Sequence, residues 1–433
     1  MKPVIFALAG ALALGPWQGA QMDATSRERA RTMLRHAYEL VRKHYYDEKF
    51  RGLDLDARYR SFDEQVKIAP SLNASMAIVA DFLDGLQDSH TFFVPPARPY
   101  DFDYGYRAQA YGNHIFVTQI RPGSDAAANL RIGDEILVLN GVSLNRDTVS
   151  RMSYVLNVLS PQPSLALTVA GPDGARRDVR LNTRTRQGKR RLDLTTIDSE
   201  DLWRAVRQSQ NDTEDFGQRY IEAGKVMIWK MPGFSMNDAD VDAMFDIVRK
   251  HQVLVLDLRG NHGGRVDTLL RMLGAVFPVD IPVATLVSRT PQKPLVARTN
   301  RARTYLGEIT VLVDAESASA SELFARVIQL EGRGNVVGDR TSGSVMQSRG
   351  HGESQGLDTV ISYYFSVTDA DVLMRDGKSL EHTGVTPTVL VIPTAEDLAV
   401  GRDVAMARAL ELAGVSIDPV KAGELFPFKW KPF

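Results

Sequence analysis

Ser319 stands where an apolar strand, Ile309 to Val313, gives way to an amphipathic helix, in the run DAESASASELFARVIQLEGR from Asp314 to Arg333. Apolar residues recur at Ala320, Leu323, Phe324, Val327 and Ile328, the spacing of one buried helix face, and Gly332 would close the helix. A hydroxyl at a helix start meets unpaired backbone N–H groups and the positive end of the helix dipole, which suits a developing oxyanion. Serine is also a common N-cap, so the position alone allows a purely structural role. A second loop bears on the choice. DLRGNHGGRVD, Asp257 to Asp267, follows the apolar run VLVL and precedes another helix. Gly263 and Gly264 either form a simple turn or bring one backbone N–H to an oxyanion, joined by that of Ala320. Two such loops at one sheet edge favour the second reading, because α/β sheets take ligands beyond the carboxyl ends of their strands.

Those loops need a scaffold, and the flanking sequence supplies alternating strands and helices. Strands are expected at Val226–Lys230, Val253–Leu258, Val283–Val287, Ile309–Val313 and Asn335–Val337, with helices at Ala239–Arg249, Thr268–Phe277 and Ala320–Leu330. Upstream, Thr25 to Gly85 reads as helices. Leu34, Ala37, Leu40 and Val41 form one stripe, Met76, Val79, Ala80 and Leu83 another, and Ser26 and Asn73 are expected caps. Pro95, Pro96 and Pro99 then mark an edge, and Tyr100 to Leu181 becomes short strands and turns around one helix. Thr183 to Gly224 is a polar connector with a short helix expected over Glu200 to Arg207.

Composition removes several chemistries. There is no cysteine among the 433 residues, which excludes disulfides, a thiol nucleophile and a zinc ribbon. The eight histidines include no HExxH pair, so neither metal nor cofactor is expected. A net charge of -1 argues against nucleic acid as a partner. Met1 and Lys2 lead into the apolar run Pro3 to Pro16, the layout of a secretory signal peptide with its cleavage region near Trp17 to Met22. That run is short for a membrane span, so a periplasmic or secreted protein is expected, with an uncleaved anchor as the alternative.

HIFVTQI, RPGSDAAANLRIGDEILVLNG, a helix, and SLALTVAGPDGARRDVRL follow one another as in a PDZ domain, which this stretch resembles. The resemblance implies capture of an extended peptide at a sheet edge, with Tyr104, Gly105 and Tyr106 in the place of the carboxylate-binding loop. Taken in order, the signal, helical cap, PDZ-like module, DLRGNHGG, SASASE and VVGDRTSG resemble the carboxyl-terminal processing, or tail-specific, serine peptidases. That family implies a crotonase-like ββα core, Ser319 as nucleophile, and Gly263 or Gly264 with Ala320 as the oxyanion hole. The best-known branch places a lysine base after the glycine of GDRTSG, but here Gly343 is followed by Ser344, and no lysine lies between Glu316 and Lys378. Gln347 resembles the glutamine that accompanies that lysine, at shifted spacing. SHT, Ser89 to Thr91, instead resembles the serine–histidine pair of the tricorn-like branch. The resemblance implies His90 as base, oriented directly or through Ser89 by Glu381 in SLEHTGVTP. His262 and His382 are rivals for the base, Asp376 is the reserve for Glu381, and Lys378 is an outside candidate. Asp257, Arg259, Asp339 and Arg340 are expected to be paired supports.

The expected whole is a multidomain α/β chain. It comprises a signal peptide at 1–22, a helical cap at 23–97, a PDZ-like β-rich domain at 98–182, a connector at 183–224, a peptidase core at 225–415 and a tail at 416–433. The expected function is a serine endopeptidase acting on exported or envelope polypeptides through their C-terminal tails, by an acyl-enzyme, with a Ser319, His90, Glu381 triad. Its rivals are a noncatalytic binding protein on the same fold and an adaptor working through the PDZ-like domain. The triad would form only if cap and core dock, and the sequence does not fix an oligomeric state.

Overall fold

The computed structural model describes residues 22–98, 100–187, 218–356 and 360–433; the expected signal peptide and the Glu200–Arg207 helix lie outside the described residues. Three helices come first, α1 (Ala24–His44), α2 (Leu55–Ile68) and α3 (Leu72–Asp84), followed by a short strand β1 (Phe92–Val94). On α1 the residues Ala30, Met33, Leu34, Ala37 and Val41 form the buried stripe. Every residue of α3 from Ser75 to Leu83 is buried, because the other two helices and β1 cover it from several sides. The caps are not Ser26 and Asn73. Asp23 accepts the Ser26 N–H at 2.6 Å and Ser71 accepts the Ala74 N–H at 3.2 Å, so in each case the acceptor sits two or three residues earlier, on extended backbone.

A β-rich module follows, with β2 (Tyr100–Asp103), β3 (Tyr106–Tyr111), β4 (His114–Ile120), α4 (Asp125–Asn129), β5 (Glu135–Leu139), β6 (Val142–Ser143), α5 (Arg146–Tyr154), β7 (Ser164–Ala170), β8 (Arg176–Asn182) and β9 (Arg184–Gln187). Its antiparallel sheet runs β3-β4-β5-β7-β8 with β6 on β5, while β2 pairs with β9. Leu165, Leu167 and Val169 alternate inward along β7. They share one apolar cluster with Leu34 and Val41 of α1 and Phe82 of α3, so module and helices pack as a continuous body.

The remaining chain contains β10 (Arg219–Ala223), β11 (Val226–Lys230), α6 (Asp238–Val248), β12 (Val253–Asp257), α7 (Val266–Val276), β13 (Ile281–Val287), β14 (Leu295–Ala297), β15 (Glu308–Val313), α8 (Ala320–Leu330), β16 (Asn335–Gly338), β17 (Met346–Gln355), β18 (Ile361–Met374), β19 (Val389–Leu390), α9 (Ala395–Ala399), α10 (Val404–Leu412) and α11 (Pro419–Gly423). The expected strands and helices of this region are all present within two residues of their bounds. One sheet has the order β10-β11-β12-β15-β16-β19 and is parallel from β11 onward. All five residues of β12 are buried, since α6, α7 and α8 cover one face and α10 the other. A second, antiparallel sheet has the order β1-β18-β13-β14, with β17 also on β18. The long hairpin β17–β18 is additional to the expected elements. It ties the segment after the helical cap to the core, because Phe92, Phe93 and Val94 pair with Ser366, Phe365 and Tyr364. No helix among the described residues is long and apolar enough to cross a membrane.

Candidate active site

The parallel strands β12 and β15 end side by side, and their following loops interlock. Ala318 N–H donates to the Asn261 carbonyl at 3.0 Å, the Ser321 hydroxyl to the same oxygen at 2.7 Å, and the Ser317 hydroxyl to the Leu258 carbonyl at 2.8 Å. Asp314 completes the clasp by accepting from Gly260, Glu316 and Ser317 N–H, each at 3.0 Å. Ser319 itself is held at φ 55° and ψ -117°, a conformation that costs a non-glycine residue ~1–3 kcal/mol. Its N–H is fixed by the Ser344 carbonyl and a Glu322 carboxylate oxygen, both at 3.0 Å, and its carbonyl accepts the Leu323 N–H at 3.0 Å.

Both glycines are required sterically. Gly263, at φ +89°, lies so close to the elbow that an added Cβ would stand 2.7 Å from Ser319 Cβ and 2.9 Å from Ala320 N. A Cβ on Gly264, at φ +149°, would stand 2.3 Å from the Phe234 carbonyl oxygen. The two differ in their N–H groups. Gly263 N–H already donates to Asn261 Oδ1 at 2.9 Å, whereas Gly264 and Ala320 line the cleft beside Ser319. Gly263 therefore shapes the elbow and has no donor to spare.

The turn after α3 brings the histidine. Asp88 Oδ1 accepts His90 N–H at 3.0 Å, Thr91 N–H at 2.7 Å and the Thr368 hydroxyl of β18 at 2.7 Å, which pins this turn to the core sheet. The Ser89 hydroxyl oxygen lies 2.7 Å from His90 Nδ1 and donates to Glu381 Oε2 at 2.9 Å, while Ser89 N–H donates to Glu381 Oε1 at 2.7 Å. Val345 N–H adds a further donor to Glu381 at 2.8 Å. Burial raises the Glu381 carboxyl against these donors. Since the Ser89 proton goes to Glu381, its oxygen accepts from His90 Nδ1–H, which leaves Nε2 as the basic nitrogen. His90, Ser89, Ser319 and Ser344 line one cleft of about 420 Å³.

Glu322 was not singled out in the sequence, although S-x-x-E across Ser319 to Glu322 is a capping-box pattern. It is fully buried and accepts from Ser319 N–H at 3.0 Å, Ser344 N–H at 2.9 Å, Gly343 N–H at 2.7 Å and the Thr341 hydroxyl at 2.6 Å. Burial lifts it to about 7 in spite of those donors. One carboxylate thus joins the serine elbow to the 341–344 loop.

The other candidates are placed elsewhere or used differently. His262 lines the cleft; His382 is largely exposed and bonds the Gln87 carbonyl at 2.8 Å. Asp376 pairs with Arg326 at 2.7 Å, and Lys378 shares its exposed turn. Gln347 bonds Asp369 and Gln292. Arg259 bridges Asp257 and Asp403; burial alone would raise Asp257, but Arg259 and Lys230 hold it well below the usual carboxylate range. Asp339 pairs with the Arg146 guanidinium of α5 at 2.8 Å and from Arg340 accepts only the backbone N–H, at 2.7 Å; with Gln109–Asp314 at 2.5 Å this ties the β-rich module to the loops around the cleft. The Tyr104–Gly105–Tyr106 turn is committed internally. Gly105 N–H donates to Asp103 at 2.9 Å, its carbonyl accepts Arg121 N–H at 2.8 Å, and the Tyr104 hydroxyl donates to Leu156, so the Gly105 N–H is already engaged.

Residues 225–391 match peptidase family S41, and residues 26–69 match the tricorn protease C1 domain. Residues 225–391 thus belong to peptidase family S41. The chain is 23% identical over 419 residues to the carboxy-terminal processing protease CtpB of Bacillus subtilis, covering 92% of this chain and 78% of that one. It is 24% identical over 278 residues to the tail-specific protease of Haemophilus influenzae, and 24% over 414 residues to a putative tricorn protease homolog of Streptomyces coelicolor. It spans 38% and 32% of the length of those two relatives. Among solved structures, mature CPAF shares the fold with a TM-score of 0.64 at 16% identity, over 87% of this chain and 95% of that one. The chain is a serine-type peptidase.

Proposed function

We propose that this peptidase is an endopeptidase with Ser319 as nucleophile, His90 as general base and Glu381 acting through Ser89. The observation that carries the reading is the continuous chain from Glu381 through Ser89 to His90 Nδ1, on the wall of the cleft that holds Ser319. His90 Nε2 takes the Ser319 proton as Oγ attacks the peptide carbonyl, and returns it to the leaving amine. Water then enters, is deprotonated by the same nitrogen and releases the acyl group from Ser319. The oxyanion of each tetrahedral intermediate is received by Gly264 and Ala320 N–H, with the elbow geometry fixed by Gly263. The Glu381–Ser89 pair orients the ring and stabilises its charged form.

The core is read as crotonase-like and the β-rich module as a PDZ-like domain that receives extended polypeptides, with exported or envelope proteins as substrates. The test is hydrolysis of an unstructured polypeptide, with labelling by a serine-directed fluorophosphonate. Ser319→Ala should abolish both signals. His90→Ala should reduce hydrolysis by at least on the order of 10³-fold while the thermal transition is retained. Unchanged hydrolysis in His90→Ala, with labelling still at Ser319, would move the base elsewhere, and His262 is the alternative within the cleft.

A further inference from the structure

The segment between β18 and β19 carries Glu381 and, beside it, a residue that the triad does not use. Thr383 N–H and Gly384 N–H both donate to the Leu380 carbonyl, at 3.1 Å and 2.9 Å, which closes a tight turn with His382 at φ 62°. Positive φ is glycine's region, and a residue with a Cβ is disfavoured there. Burial does not explain the choice of histidine, because its side chain is 57% exposed. What histidine adds is a ring nitrogen. Nε2 donates to the Gln87 carbonyl at 2.8 Å and stands 3.8 Å from Glu381 Oε1. Both the imidazolium and the Nε2–H tautomer make this bond.

Gln87 lies two residues before Ser89 and is itself at φ 54°. Its carbonyl belongs to one peptide group and the Ser89 N–H to the next, so two neighbouring residues of the core turn hold two successive peptides of the histidine turn. Glu381 takes the Ser89 N–H at 2.7 Å and the Ser89 hydroxyl at 2.9 Å, while His382 takes the Gln87 carbonyl. Arg51 donates to the same carbonyl from within the helical cap, so His382 supplies the bond from the core side. The His382 N–H points the other way. It donates to the Gly343 carbonyl at 2.7 Å, and the next carbonyl, that of Ser344, receives the Ser319 N–H at 3.0 Å. One residue thus touches both the turn that bears the proposed base and the loop that holds Ser319.

We propose that His382 is a positioning residue for His90: its ring fixes the Gln87–Asp88 peptide so that Ser89 meets Glu381 and the His90 ring is held for Ser319. This role rests on the triad given above and assigns no proton transfer to His382. A bond between an exposed ring and a carbonyl is a modest contact, so its loss slows hydrolysis without abolishing it. Glycine at this position relaxes the turn and removes the donor. Glutamine keeps a side-chain N–H at similar reach together with the disfavoured backbone, so stability and activity are expected to move in opposite directions between the two.

The test compares the full-length wild-type chain with His382→Gly and His382→Gln, by denaturant unfolding and by kcat and KM on a quenched unstructured polypeptide. His382→Gly should unfold at an equal or higher denaturant concentration, with KM unchanged and kcat lowered about 3- to 10-fold, the loss of one hydrogen bond. His382→Gln should be the less stable of the two variants and recover most of kcat. In a His90→Ala background, His382→Gly should leave the residual rate as it is, because the side chain it positions is gone. Wild-type kcat in His382→Gly, a fall in rate matched by a fall in unfolding midpoint, a glutamine variant as slow as the glycine one, or the same fall repeated without His90 would overturn the positioning role while leaving the triad intact. Wild-type hydrolysis in His90→Ala would overturn the triad and this role together.

Discussion

Replacing Glu322 by glutamine exchanges one of its two oxygens for an NH2 group and leaves side-chain volume nearly constant. Its present partners are divided by oxygen, with Ser319 and Ser344 N–H on Oε2 and Gly343 N–H and the Thr341 hydroxyl on Oε1. With the amide nitrogen at the first position, Ser319 N–H keeps the Ser344 carbonyl at 3.0 Å as acceptor, but Ser344 N–H is stranded. With the nitrogen at the second, the Thr341 hydroxyl turns to accept, but Gly343 N–H is stranded. Either orientation leaves one buried donor without an acceptor, which costs ~1–3 kcal/mol. Glu322→Gln should therefore lose that amount in denaturant unfolding at pH 8, and kcat on a quenched polypeptide should fall about 5- to 150-fold, with KM nearly unchanged. Glu322→Ala, which deprives all four donors, should lose more in both assays.

Titration sharpens this expectation. The folded value of about 7 lies above the usual 4.5, so in that window the folded chain holds a proton that the unfolded chain has released. The resulting stability is complete below 4.5 and is lost as the pH rises through 7, by up to about 3 kcal/mol. Activity should run the other way, because protonation places an O–H among four donors. Stability should fall and kcat rise between pH 5 and 7.5; Glu322→Gln should remove the Glu322 share of the stability slope, while kcat keeps the rise that a general-base His90 requires. A glutamine variant with wild-type kcat and unfolding midpoint at pH 8 would refute the reasoning.

Gly263→Ala should destabilise the elbow by about 2–5 kcal/mol, combining positive-φ strain with overpacking against Ser319, and should remove fluorophosphonate labelling. Ser89→Ala leaves Glu381 with the Ser89 and Val345 N–H groups, so the thermal transition should hold while kcat falls by on the order of 10²-fold; an unaltered kcat would separate Glu381 from the ring.

The parts of this site legible in the sequence are those written in local pattern. Ser319 is announced by a buried strand and a one-faced helix, and the glycine loop by VLVL before it. The hairpin β17–β18 is hard to read because MQSRGHGESQ has neither alternation nor apolar bulk, while YYFSVT on its partner is buried continuously, as in a strand covered on both faces. Helix starts were displaced because Asp23 and Ser71 cap from outside the apolar pattern that marked Ser26 and Asn73. Glu322 was visible as a capping box, but the pattern alone gives no hint that the same carboxylate would reach Gly343 and Ser344. The ion pair Arg146–Asp339 spans 193 residues, and no local rule relates such partners.

The pairing of β1 with β18 has a consequence for when the chain becomes dangerous to its neighbours. Phe93 must wait for Phe365, and Ser89 for Glu381, 292 residues further along. Contacts of such sequence separation require nearly the whole chain before they can form. A partly synthesised or partly threaded chain holds the histidine early and the serine much later, yet has no carboxylate to orient the ring until Glu381 arrives. On the proposed triad, hydrolytic competence waits until Glu381 has joined the fold, a delay set by sequence separation.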